Sequence, residues 1–203
     1  MQAIKKDRAP TMTAPFFTYT DKFVNFSQAD KELLATVLTF KQVEAKAALV
    51  SYDRRTDELF FLLKGCIRKY YVKDGEQITI YLLTENNFIG AFESFTTGTK
   101  SKETIECLEP CELLVLKKSD LDRLYKEIPL MNEFIRKVLE QVLIQFQQAL
   151  SSFILNTPEE RYTKLLTQHP EILQRVPQHM LATYLGITAT SLSRIRKRIL
   201  DKA

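Results

Sequence analysis

Near the end of the chain, Thr190, Arg194 and Lys197 recur at i, i+4 and i+7, which puts them on one face of a helix. A hydroxyl, a guanidinium and an ammonium along one ridge suit one chemistry above others. They can hydrogen-bond base edges and neutralise phosphates in a DNA major groove. On the opposite face Leu192, Ile195 and Ile199 recur at i, i+3 and i+7 and point inward. Upstream, Gln178 to Leu185 forms a first short helix with Leu181, Ala182 and Leu185 together, and Ala182 is small enough for two helices to cross closely. Gly186 suits a left-handed helix end, Ile187 plugs the corner, and Thr188 can cap the second helix. The stretch from Pro177 to Ala203 is therefore read as a helix-turn-helix rather than a plain helical hairpin closing a core.

Charge supports that choice. Residues 157–203 hold eight Lys or Arg and four Asp or Glu, so they carry the whole +4 excess of the 203-residue chain, and no acid occurs between Arg175 and Leu200. A solvated face would interleave both signs, whereas a one-sided excess attracts a polyanion. An RNA-binding reading would want stacking aromatics among the basic residues, and only Tyr184 lies in the motif.

The elements that must position this motif fall in order along the chain. Residues 1–20, with Pro10 and Pro15, are expected to form a loose N-terminal arm without the apolar core of a secretion signal. A helix is expected from Ser27 to Leu38, with Ser27 as its cap. From Phe40 to Leu116 short strands take over, separated by turn signals at Lys73-Asp74-Gly75-Glu76, Glu85-Asn86-Asn87, Thr97-Gly98-Thr99 and Glu109-Pro110. Ile78, Ile80 and Leu82 are expected on one side of a strand. Such a series suggests an antiparallel barrel or roll. Ser119-Asp120 is read as the cap of the next helix, and Pro129 to Leu155 as a long helix without Gly or Pro inside it. That helix carries two apolar stripes. Met131, Ile135, Val138, Val142, Gln145 and Ala149 make one; Phe134, Leu139, Leu143, Phe146, Leu150 and Phe153 make the other. One stripe can pack on the roll and the other on a second copy of the chain. Asn156-Thr157-Pro158-Glu159-Glu160 then stops this helix and caps another.

Catalysis is not expected. The main rival, a cupin-like small-molecule barrel or metalloenzyme, needs two or three His plus a carboxylate inside the barrel. Residues 40–118 contain no histidine, and His169 and His179 both lie in the C-terminal region. Cys66, Cys107 and Cys111 form no disulfide framework; they fit a reducing, cytoplasmic compartment and structural burial. No apolar run reaches the roughly 18 residues of a membrane span.

Taken in this order, with Phe88-Ile89-Gly90 followed by Gly98, the Phe153-to-Arg161 junction and the terminal motif, residues 20–203 resemble the Crp/Fnr family of bacterial transcription regulators. The wording Leu-Ser-Arg-Ile-Arg-Lys near the end is similar to the branch found in Bacteroidetes. The resemblance implies an α+β chain with four parts. These are an arm (1–20), a cyclic-nucleotide-binding-type antiparallel β-roll of double-stranded jelly-roll kind (21–128), a dimerisation helix (129–155) and an all-α (winged) helix-turn-helix (156–203). It implies a homodimer on a near-palindromic duplex site, with RNA polymerase as a further partner. It implies base readers at Ala189, Thr190 and Arg194, phosphate contacts at Thr188, Ser191 and Lys197, and backbone contacts at Gln178 and His179. Ala189 and Thr190 depart from the usual Arg and Glu of the family's catabolite activators, so their target sequence is not carried over. The chain stops at Ala203, so the strands that usually form the wing are not expected.

On the effector side the resemblance points to Gly90, Glu93, Ser101 and Lys102. Cyclic AMP binders of the family carry a Gly-Glu pair for the ribose and an Arg-Ser pair for the phosphate. Here the ribose acid is replaced by Ala91, and the phosphate arginine by Ser101, followed by Lys102 and then by Glu103, which would oppose an anion. A lysine lacks the bidentate fork of arginine. No cofactor is therefore expected: cyclic AMP is disfavoured, and three cysteines, none before residue 66, do not make an iron–sulfur site.

Overall fold

The run Leu59-Phe60-Phe61-Leu62-Leu63 does not alternate with polar residues, because its strand is buried on both faces. The computed structural model describes residues 9–201. Their elements are α1 (Ala9–Thr20), α2 (Gln28–Val37), β1 (Thr39–Val43), β2 (Ala48–Val50), β3 (Glu58–Lys64), β4 (Ile67–Lys73), β5 (Glu76–Leu83), β6 (Asn87–Ile89), α3 (Phe92–Thr97), β7 (Thr104–Cys107), β8 (Cys111–Lys117), α4 (Lys118–Glu127), α5 (Leu130–Leu155), α6 (Pro158–Gln168), α7 (Pro170–Arg175), α8 (Gln178–Tyr184) and α9 (Ala189–Leu200). The strands pair antiparallel into two four-stranded sheets, ordered β1-β8-β3-β6 and β2-β7-β4-β5. This is the expected α+β roll followed by helices.

Three cores follow from the strand period of two. Phe60 and Leu62 of β3 meet Leu113 and Val115 of β8, and Ile67, Leu83 and Ile105 of the other sheet, between the sheets. Phe61, Leu114 and Leu116 point out of the first sheet instead, onto α1, α2, α4 and the start of α5. On the far side, Cys66 and Leu82 pack against Tyr162, Leu165, Leu181, Ala182 and Leu185 of the C-terminal helices. Each sheet thus has an outer face closed by helices, a different set for each.

Several expectations need correction. The arm proposed for residues 1–20 is ordered helix from Ala9 onward: Phe16 is 2% exposed, with edge-to-face contacts to Phe61 and Phe88, because the apolar side of α1 covers the first sheet. Residues 1–8 lie outside the described residues. In β5 the buried side is not Ile78, Ile80 and Leu82. Lys69 pairs with Tyr81 but Tyr70 with Thr79, so Ile80 is the extra residue of a bulge. Ile80 is exposed and Thr79 is buried in its place. Helix α4 starts at Lys118, with Lys117 at the N-cap and no side-chain cap bond, two residues before the Ser119 cap read from sequence. Phe134 belongs to the core-facing side of α5 with Met131 and Val138, rather than to the outer stripe. Ser27 does cap α2, in a reciprocal capping box with Asp30, and Thr157 does the same for α6 with Glu160.

Candidate nucleic-acid interface

Helix α8 ends in a Schellman motif: Ile187 N–H donates to Ala182 O at 2.9 Å and Gly186 N–H to Thr183 O at 3.0 Å, with Gly186 at φ 70°. Thr188 then caps α9, its hydroxyl accepting from Ser191 N–H at 3.2 Å. Leu181, Ala182, Leu192 and Ile195 are buried between the two helices. The turn and cap therefore determine which side of α9 faces out. Ala189, Thr190, Arg194 and Lys197 lie on that exposed side, as do Gln178 and His179 at the start of α8, while Ser191 is half-buried. Among the described residues neither Arg194 nor Lys197 has an ion-pair partner. Arg198 does: its guanidinium meets Glu159 at 2.7 Å, so this cation braces α9 on α6.

A second arginine ties the motif to the long helix. Arg161 donates to Asn156 O at 2.7 Å and to Leu185 O at 2.8 Å, and its guanidinium stacks on Phe153, 4.7 Å from the ring centroid. It thus caps carbonyls at the end of α5 and the end of α8 at once. A Cβ on Gly186 would lie 3.1 Å from the Phe153 ring, so the turn and the junction are packed together.

The motif also seats on the roll. The Thr183 hydroxyl accepts from Thr79 N–H at 3.2 Å and lies 3.1 Å from the Thr79 hydroxyl. Arg175 forks onto both carboxylate oxygens of Glu85, at 2.9 and 2.7 Å, and also bonds Glu109. Glu85 accepts in addition from Gly65 N–H at 2.8 Å. The Arg175 guanidinium, helped by backbone N–H groups and opposed by burial, holds the Glu85 carboxyl down to about 2. Nearby, burial pushes the Cys66 thiol up to about 12. Cys66, Cys107 and Cys111 are free and buried. Arg161 and Arg175 find partners in Leu185 and Glu85, distant in the chain, and no local pattern of the sequence marks these contacts.

Of the four residues expected around an effector, Lys102 and Glu93 are brought into contact, and the polar groups of Gly90 and Ser101 are engaged by other partners. Lys102 reaches outward to Glu93 at 2.8 Å, both side chains being exposed. The Ser101 hydroxyl is used within its own loop, donating to Glu103 O at 2.7 Å and accepting from Glu103 N–H at 3.2 Å. Gly90 passes close to Leu59, and its carbonyl accepts from Lys69 at 2.7 Å. Lys69 pairs with Glu103 at 2.9 Å, and the Tyr71 hydroxyl donates to the same carboxylate at 3.3 Å. Lys69 shares the inward side of β4 with Ile67. Among the described residues no group of three or more His, Cys, Asp or Glu could hold a metal ion, and no helix is long and apolar enough to cross a membrane.

Residues 40–127 match the family model for the cyclic nucleotide-binding domain. Over 99 residues the chain is 29% identical to the global nitrogen regulator of Nostoc sp., a stretch that covers 47% of this chain and 44% of that protein. The chain therefore spans less than half the length of that relative. Among solved structures it is similar to the c-di-GMP responsive global regulator CLP of Xanthomonas campestris, with TM-score 0.69, 15% identity, and 87% and 93% of the two chains covered. It is also similar to a transcriptional regulator of the Crp/Fnr family from Eubacterium rectale, with TM-score 0.67, 16% identity, and 87% and 85% covered.

Two outcomes follow from this geometry. Gly186→Ala forces a Cβ into the left-handed region and against Phe153, so it should destabilise the C-terminal helices by about 1–3 kcal/mol; urea unfolding measures this. Because Glu85 is held below its ordinary value, its contribution is fully present at neutral pH and is lost as pH falls from about 4.5 towards 2. Thermal unfolding from pH 7 to 2 should show that acid loss, and Arg175→Met should shrink it.

Proposed function

We propose that this chain, which has the fold of the Crp/Fnr regulators and a roll matching the cyclic nucleotide-binding domain family, is a sequence-specific regulator of transcription that binds duplex DNA as a homodimer. The observation that carries the reading is the exposed ridge of Ala189, Thr190, Arg194 and Lys197, held rigidly by the Gly186 turn and the Thr188 cap. Arg194 reaches a base edge and Lys197 a phosphate. Thr188 and Ser191, beside the cap, and Gln178 and His179, at the free start of α8, contact the backbone. Helix N-termini offer N–H groups that suit phosphate oxygens. Regulation would include contact with RNA polymerase, and the site of action is the cytoplasm. The domains assigned are the roll (21–128), the dimerisation helix (129–155) and the helix-turn-helix unit (156–203). Nothing in the site's chemistry calls for catalysis.

Dimerisation is supported by α5. Leu139, Leu143, Phe146, Leu150 and Phe153 are all exposed and follow one another at alternating steps of four and three, the heptad spacing of a coiled-coil seam. Beside the seam runs a shallow groove of about 410 Å³ lined by Tyr125, Ile135, Leu139 and Leu143. A 26-residue helix is roughly 39 Å long, and only its first half is used by the roll. An apolar row of this length is costly to leave in water, and a second copy of the same row covers it. Two recognition helices would then enter successive major grooves roughly 34 Å apart.

Selection of bound fragments from random duplex DNA should return a near-palindromic site. Arg194→Ala should cost about 1–3 kcal/mol and relax preference at one base pair per half-site, whereas Lys197→Ala should weaken all sequences alike and lower the salt slope by about one. Identical behaviour of the two variants would refute the assignment of roles. Leu150→Glu, on a side chain exposed in the single chain, should leave folding intact and halve the mass measured by light scattering.

A further inference from the structure

The match to a cyclic nucleotide-binding family implies an anionic ligand inside the roll, and the residues there do not fit one. The ammonium of Lys69 lies between the sheets, its side chain only 14% exposed, and the facing Glu103 side chain is 13% exposed. A cation this far out of water needs an anion close by. Glu103 provides it, and Tyr71 and the Gly90 carbonyl complete the shell. The donors around the loop are taken as well. Ser101 N–H bonds Arg54 O at 2.8 Å, the Ser101 hydroxyl and Glu103 N–H are bonded to each other's residue, and Lys102 is turned out to Glu93. Arg68, on the outer side of β4, is engaged by Glu106 at 2.8 Å and by Gln77. A phosphate entering here would meet a carboxylate where it needs a cation.

We propose that the roll carries its own anion: the Glu103 carboxylate sits on Lys69 in the role that an anionic effector would fill, and the roll keeps its shape with no cyclic nucleotide bound. The pair is neutral, so adding an external phosphate would leave one negative charge unmatched between the sheets. The only exit would be for Glu103 to swing out of the roll, which forfeits its bonds to Lys69 and Tyr71. This reading concerns the roll alone and does not depend on DNA recognition.

Thermal unfolding of the full chain tests it. For the wild type, millimolar cyclic AMP or cyclic GMP should leave the melting temperature unchanged. Glu103→Ala should melt several degrees lower, and acetate or inorganic phosphate should recover part of that loss, beyond their effect on the wild type. The double variant Lys69→Met with Glu103→Ala should show no such recovery. Should Glu103→Ala not fold, the milder Glu103→Gln and Lys69→Met variants form a cycle in which the double variant loses less than the sum of the singles. A wild-type melting temperature raised by a cyclic nucleotide and insensitive to it in Lys69→Met would overturn the proposal. So would a Glu103→Ala protein indifferent to added anions, or strict additivity in the cycle.

Discussion

Both sheets of the roll have apolar residues on both faces, and neither can be left half in water. Burial of apolar area is worth about 25 cal/mol per Å², so each outer face must recruit a cover. The first sheet takes α1, α2, α4 and the root of α5, through Phe61, Leu114 and Leu116. The second takes the C-terminal helices, through Cys66 and Leu82. This division determines where α5 leaves the roll and where α8 comes to rest. With α8 seated on β5, the side of α9 that carries Ala189, Thr190, Arg194 and Lys197 is left exposed.

The basic C-terminal quarter is used more selectively than its composition implies. Of its cations, Arg161 holds carbonyls at the ends of α5 and α8, Arg175 grips two carboxylates of the roll, and Arg198 pairs with Glu159. These three are structural ties. They leave Arg194 and Lys197 as the outward charges aligned with the polar ridge. A fork of arginine on carboxylate fixes geometry as well as charge, and the Arg175–Glu85 contact therefore orients the C-terminal helices rather than merely attracting them. Arg161 does the same at the other end of the unit. Movement of α5 relative to the roll would be transmitted to the Gly186 turn through this guanidinium, which bonds both, and through Phe153, which packs on the turn.

The interior of the roll shows the opposite use of charge. Lys69 and Glu103 neutralise each other away from water, and the hydroxyl of Ser101 is spent on its own loop. A buried pair of this kind adds little net stability over an apolar one, but removing one member alone is costly. The pair joins neighbouring strands of one sheet, and the Lys69 bond to Gly90 O reaches across to the end of β6 in the other. The exposed residues at the mouth, Glu93 and Lys102, are joined only by a surface contact of modest worth.

Features that depend on local spacing were legible in the chain itself. The 3.6-residue repeat of α9, the glycine and threonine at its turn, the capping boxes at Ser27 and Thr157, and the hairpin at Asp74-Gly75 are all set by neighbours within a few residues. So was the division into roll, long helix and basic motif, because period two, period 3.6 and one-sided charge are visible without contacts. Tertiary structure decided what depends on partners far along the chain. Proline-bearing residues 9–20 became a packed helix because the outer face of the first sheet needed covering. Ile80 turned outward because a bulge reset the register of β5. Lys69, Arg161 and Arg175 found partners 34, 24 and 90 residues away, respectively Glu103, Leu185 and Glu85. A side chain's charge is written in the sequence, but whether it faces solvent, a nucleic acid or a buried carboxylate is settled only when distant segments close around it.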